Sequence, residues 1–217
     1  MDDELLRRYR GRLIFGPFAT VEPDELDALE NAIGGRLPSA YRAFIEEANG
    51  GSLMYDIRVP PNDDGEIIGF TELLHIGRNE QGEYGYGTLL GAYQRQQERS
   101  LGEHISMKRL LPIARDGGND TLFLDLDPRD GGRLIAFVHG LPEWTGKTEH
   151  DVLAVVADSF DAYLDDLFIS DETAEMTWED VRDADPDDDW RRAVEQWLDE
   201  GVPDWRTRDW ASDTGEG

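Results

Sequence analysis

His75, His104, His139 and His150 are the four imidazoles of this 217-residue chain, and no two stand at a spacing that brings a pair onto one metal ion. There is no cysteine, so thiolate metal sites, disulfides and a cysteine nucleophile are excluded. Ser159 lies inside a pattern that reads as helical rather than in a G-x-S-x-G elbow. The stretch Gly82-Glu83-Tyr84-Gly85-Tyr86-Gly87 has no Lys-Ser/Thr after it and reads as a flexible loop, not a phosphate cradle. Asp116, Asn119, Asp120, Asp125, Asp127 and Asp130 offer the oxygens calcium takes, yet no glutamate closes a binding loop, so turn and strand-end duty is the better reading. No catalytic residue, metal or cofactor is expected.

What remains is surface. The formal net charge is −27, with 48 acids against 21 Lys and Arg. From Leu141 onward stand 24 acids and 6 bases, a net of −18, so the last third is the acidic part. Such a field repels phosphate backbones and anionic headgroups, so neither nucleic acid nor membrane is expected as a partner, whereas a basic protein is drawn in. The plainer reading is that the charge only keeps the chain soluble. Met1-Asp2-Asp3-Glu4 has the wrong charge for a signal peptide, and the longest apolar run, Val152 to Ala157, is too short to span a bilayer. With the missing cysteines, this suits a cytoplasmic protein. The acids on two loops are the candidate partner-facing residues: Asp63, Asp64 and Glu66 after Pro60-Pro61, and Asp116, Asp120, Asp125, Asp127 and Asp130 around a later turn.

The elements that would carry these loops follow from periodicity and punctuation. Residues 1–21 form an N-terminal extension that mixes a basic cluster, Arg7, Arg8, Arg10 and Arg12, with apolar Leu13, Ile14, Phe15 and Phe18, the arginine stems suited to lie along an acidic neighbour. Pro23-Asp24-Glu25 opens a helix that Gly34-Gly35 stops, and a second runs from Ser39 to Asn49-Gly50-Gly51. Ile67 to Ile76 reads as one or two strands, and Thr88 to Ser100 as a helix. Thr121–Leu126 and Arg133–Val138 flank turn residues and form a hairpin. A long helix is expected over Val152–Phe168, on the stripe Val152, Val155, Val156, Phe160, Tyr163, Leu164 and Leu167. The tail from residue 170 holds one helix, capped at Asp187-Asp188-Asp189, whose Trp190 and Trp197 dock it on the domain; Trp205 and Trp210 stay open, and the last seven residues read as disordered. Helices, then strands, then helices predict an α+β domain with a central antiparallel sheet.

Leu37-Pro38, Tyr41, Phe44 and Asn49-Gly50-Gly51 closely resemble the opening motif of the SUKH superfamily, the Smi/Knr-like proteins. Leu111-Pro112-Ile113-Ala114, Asp116 to Asn119 and Gly132 to Ile135 look like that family's central hairpin, and Ala157 to Leu164, with Phe160, like its closing helix. The three matches fall in order and mark residues 22–169 as a SUKH-like domain, with an insert near residues 80–103 and an acidic tail, 170–217, outside it. The resemblance implies a single non-enzymatic α+β domain whose motif residues are structural. It implies a protein partner, most often a toxin, many of them nucleases or deaminases, that an immunity protein neutralises. The alternative is an intracellular scaffold or regulator of the Smi/Knr type, which the long acidic tail favours because immunity proteins need little beyond the domain.

Overall fold

The basic and apolar N-terminal stretch folds as a hairpin. In a computed structural model, which describes residues 4–60, 66–78, 82–97, 109–127, 132–140 and 150–211, β1 (Leu6–Tyr9) pairs antiparallel with β2 (Arg12–Phe15). The two turn residues, Arg10 (φ 47°) and Gly11 (φ 78°), are both left-handed, the geometry whose twist matches that of the strands it joins. Leu13, Ile14 and Phe15 are buried. The arginines reach outward as the sequence suggests: Arg8 to Glu200 at 2.6 Å, Arg10 to Asp165 at 3.2 Å, and Arg12 to the carbonyls of Leu164 and Asp165.

Helix α1 (Pro23–Ile33) starts on its proline with Asp24 and Glu25 in the first turn, and ends at left-handed Gly34. Helix α2 (Ser39–Glu47) buries Tyr41, Phe44 and Ile45. It ends at extended Ala48, so Gly50 and Gly51 do not cap it as their sequence position suggests. They form a seam instead. Phe15 and Ser52 exchange both backbone hydrogen bonds, at 2.9 and 2.7 Å, and Ser52 in turn bridges to Glu72. Gly51 sits at φ 82°, where a Cβ would lie 2.3 Å from the Phe15 carbonyl oxygen, so only glycine fits. Asn49 locks the same seam, its amide donating to the Ile76 carbonyl at 2.8 Å and accepting the Ile76 N–H at 2.7 Å.

The seam leads into a five-stranded antiparallel sheet in chain order, β5 (Glu72–Leu73), β6 (Leu110–Arg115), β7 (Thr121–Asp125), β8 (Leu134–Val138) and β9 (Val152–Ala157). A separate pair is made by β3 (Ile57–Val59) and β4 (Glu66–Ile68), and α3 (Leu89–Gln97) lies against β6, with Gln96 donating to the Leu110 carbonyl. The β7–β8 hairpin stands where its turn residues put it. The expected long helix over Val152–Phe168 does not form. Val152–Ala157 is the edge strand β9, paired with β8, and only Phe160–Asp166 is helical, as α4. A valine-rich run fits both a helical stripe and a strand; β-branching and pairing with β8 decide for the strand. Ser159, read as mid-helix, is the cap that starts α4, accepting the Ala162 N–H at 3.1 Å.

The tail is folded into the same core, and with two helices rather than the one expected. Helix α5 (Asp171–Glu179) carries Trp178, and α6 (Asp189–Gly201) carries Trp190 and Trp197. Asp188 caps α6 at the Arg191 N–H, within the expected aspartate run. Trp197 is fully buried, with Phe15 and Tyr55 at ring-centroid distances of 6.2 and 6.1 Å, and Trp190 packs on Phe15 at 5.1 Å. Two short turns follow, in which buried Trp205 meets Trp178 at 4.7 Å and stacks on Trp210 at 6.3 Å.

Candidate protein-binding surfaces

The loop acids divide between the two ends of β7. At one end Asp116 accepts the backbone N–H groups of Gly118 (2.7 Å) and Asp120 (3.1 Å), which ties the β6–β7 turn. Asp120 accepts the His139 backbone N–H at 2.8 Å and lies 3.3 Å from that imidazole's Nδ1. Glu66, on β4, joins Asp116 and Asp120 around an open hollow of about 410 Å³. At the other end Asp125 and Asp127 are buried, at 6% and 8% exposure. Asp125 is paired with Arg133 at 2.8 Å, and Asp127 with Arg109 at 2.6 Å. Their oxygens are turned to the chain's own cations, and Asp125 also accepts the Asp127 N–H at 2.9 Å. Asp63, Asp64 and Asp130 lie outside the described residues, as do His104, Trp144 and residues 212–217. Among the described residues no three His, Asp or Glu converge as a metal site.

The acidic ridge that sequence reading passed over is on α5. That helix buries Ala174, Thr177 and Trp178 and turns Glu172, Glu175, Glu179 and Asp180 to solvent around Met176, which is 60% exposed. Arg182 takes up Glu179 at 3.8 Å, whereas Glu172, Glu175 and Asp180 have no cation within ion-pair distance among the described residues. The acid-rich composition signalled this surface, but only the helix periodicity places its charges on one side, and the sparse apolar residues hid that periodicity.

The SUKH-like motif residues line a second hollow, of about 750 Å³, between the seam and α1. His75 forms one wall, its Cβ 3.1 Å from where a Cβ on Gly50 would stand, and burial pushes its pKa below that of a free imidazole. Glu25, 3.6 Å from Arg78, lies beside it, and burial pushes that carboxyl above the usual range. Of the other motif positions, Tyr41 and Phe44 pack on Phe160 at 5.0 and 4.8 Å, Leu37 is buried, and Pro38 lies under Gly132. Leu37, Tyr41 and Phe44 are thus packing groups of the core.

The model of the SMI1 / KNR4 family (SUKH-1) matches residues 20–166, well over half of the chain. The chain belongs to the SMI1 / KNR4 family. It shares the α+β architecture of that family, whose members are generally non-catalytic proteins that bind other proteins. Comparison with curated proteins and with solved structures returned no match. The SMI1 / KNR4 match runs from just after β2 to the end of α4, so α5 and α6 lie outside it although their tryptophans complete its core. No helix among the described residues is long and apolar enough to cross a membrane.

Proposed function

We propose that this protein is a non-enzymatic immunity protein that neutralises a cognate toxin by covering a basic, nucleic-acid-facing surface. The supporting observation is the α5 ridge on a SUKH-1 chain of net charge −27: Glu172, Glu175 and Asp180, without cation partners among the described residues, around an exposed methionine. Unpaired carboxylates at helical spacing offer a basic cleft what a phosphate backbone would offer it, and a soft apolar side chain among them gives a contact that salt does not screen. Glu66, Asp116 and Asp120, around the hollow beside β4, add to the acidic surface, whereas Asp125 and Asp127 are turned to Arg133 and Arg109. The alternative, an intracellular scaffold of the Smi/Knr type, draws on the same acidic tail, whose Trp197 and Trp205 are core residues.

Co-expression with the toxin domains encoded beside its gene tests the proposal. Survival with one such toxin and not with unrelated ones is the expected result, with an association rate that falls steeply as salt rises. Full toxicity of every neighbouring domain in the presence of well-expressed, folded protein would refute it.

A further inference from the structure

In a chain where Arg8, Arg42, Arg78, Arg109 and Arg133 each have a carboxylate within 4 Å, two arginines on the outer face of the sheet have none among the described residues. Arg115 is only 7% exposed. Its guanidinium lies 3.5 Å from the Tyr86 ring centroid and donates to the Tyr86 carbonyl at 3.1 Å. Arg95, from α3, lies 5.4 Å from the same centroid and donates to the Gly85 carbonyl at 3.2 Å. A buried guanidinium held by one carbonyl and a ring face is incompletely compensated, because most of its five donors have no anionic acceptor. Burial accordingly pushes the Arg115 pKa down from its usual value. Glu72, opposite Arg115 across β5 and β6, acts on it through space without forming an ion pair.

A local irregularity aims Arg115 outward. The β6–β7 register shifts between Pro112 and Ala114, so Ile113 and Ala114 both enter the core and Arg115 comes out opposite Thr121, on the face of Phe123. There the two arginines, Phe123, Phe137, Asn119 and His139 line a cavity of about 240 Å³. That is smaller than the roughly 300–1,000 Å³ of sites that hold whole small-molecule ligands. It suits one acidic group on a short apolar stem.

We propose that Arg115 and Arg95 form a carboxylate-binding pocket, filled either by a small free carboxylic acid or by an acidic side chain of a docked protein. The planar guanidinium fork matches a carboxylate, the aromatic walls match its stem, and the field of a −27 chain disfavours a dianion such as phosphate more than a monoanion. The site is independent of the α5 ridge and does not rest on the immunity reading.

The test is an NMR titration of the full chain with benzoate, with benzamide, with inorganic phosphate, and with the capped dipeptide of phenylalanine and glutamate beside its glutamine counterpart. Saturable shifts at Tyr86, Arg95 and Arg115 are expected with benzoate and the glutamate peptide and not with the two neutral probes. Arg115→Gln is expected to weaken binding by about tenfold or more, the loss of a charge-assisted pair, and Glu72→Gln to tighten it. Tighter binding of the peptide assigns the carboxylate to a protein, and tighter binding of benzoate to a small acid. Absence of saturable shifts with both carboxylates, undiminished binding by folded Arg115→Gln, or tighter binding of phosphate would each overturn the proposal. Should Arg115→Gln not fold, Arg95→Gln, at a half-buried position, gives the same readout.

Discussion

The carboxylate of Asp56 accepts the backbone N–H of Ser170 at 2.8 Å and, through its other oxygen, the hydroxyl of Thr173 at 2.9 Å. Asp56 is 3% exposed, its backbone exchanges hydrogen bonds with Phe168 at 2.7 and 3.1 Å, and it lies at the positive end of α5. One buried side chain thus fixes where the tail leaves the family domain. Asp56→Ala strands two part-buried donors and is expected to destabilise the fold by about 2–3 kcal/mol. Denaturant unfolding measures the loss, and proteolytic nicking near residue 170 should appear before the rest of the chain is cut.

Trp197 fills the space between Phe15 and Tyr55, but its indole N–H has no hydrogen-bond partner among the described residues. Trp197→Ala should therefore cost about 3–5 kcal/mol. Trp197→Phe gives up volume yet also removes the orphaned donor, so it should cost clearly less. Removing residues 171–217 would uncover Phe15 and Tyr55 altogether and is expected to yield insoluble protein. Tail function is therefore better probed with point variants than by deletion.

Gly51→Ala meets both a left-handed backbone and the Phe15 carbonyl, and is expected to cost more than about 3 kcal/mol or to prevent folding. Gly35→Ala, where a Cβ meets nothing within 4 Å, should be near neutral. Thermal melts of the two variants side by side separate a seam requirement from a general intolerance of added methyl groups.

Burial lowers the pKa of His75 in the folded state below the 6.5 of a free imidazole. The unfolded chain then takes up the proton first as pH falls, so the His75 contribution is whole above pH 6.5 and is lost on acidification below it. Melting temperatures between pH 8 and 5 should fall, and His75→Gln should flatten that part of the profile. A separate loss at lower pH is expected from Glu200 and Asp199, whose pKa values are lowered first by side-chain hydrogen bonds from Arg8 and from Arg206, and whose stabilisation goes as they are protonated below their unfolded values.

Reversing the α5 charges, with Glu172→Lys and Glu175→Lys together, should leave the melting temperature within a few degrees, since both side chains are exposed and have no ion pair among the described residues. If α5 meets a basic toxin, the association rate should fall by about tenfold or more and lose most of its salt dependence. An unchanged rate in stopped-flow mixing would move the contact to another face.

Elements marked by punctuation were legible from the chain: Pro23 and Gly34 bound α1, the turn before Arg133 marks the β7–β8 hairpin, and Asp188 starts α6. The β9 strand was not, because Val152, Val155 and Val156 satisfy a helical stripe as well as an extended edge, and only pairing with β8 separates the two. Helix α5 escaped because Trp178 is its one large buried side chain. Among the loop acids, composition could not distinguish half-buried Asp116, which ties its own turn, from buried Asp125, which faces Arg133. The placement of Arg115 on the outer face of the sheet was beyond reach, since strict alternation along β6 would send it to the core face and the bulge that reverses it has no residue signature.

The hairpin at one end of the chain and α6 near the other cover each other, with Arg8 and Glu200 joined across 192 positions. During synthesis the ring of Phe15 emerges early and stays uncovered until Trp197 has left the ribosome. A nascent or prematurely ended chain therefore displays an aromatic patch of the kind chaperones hold and proteases find.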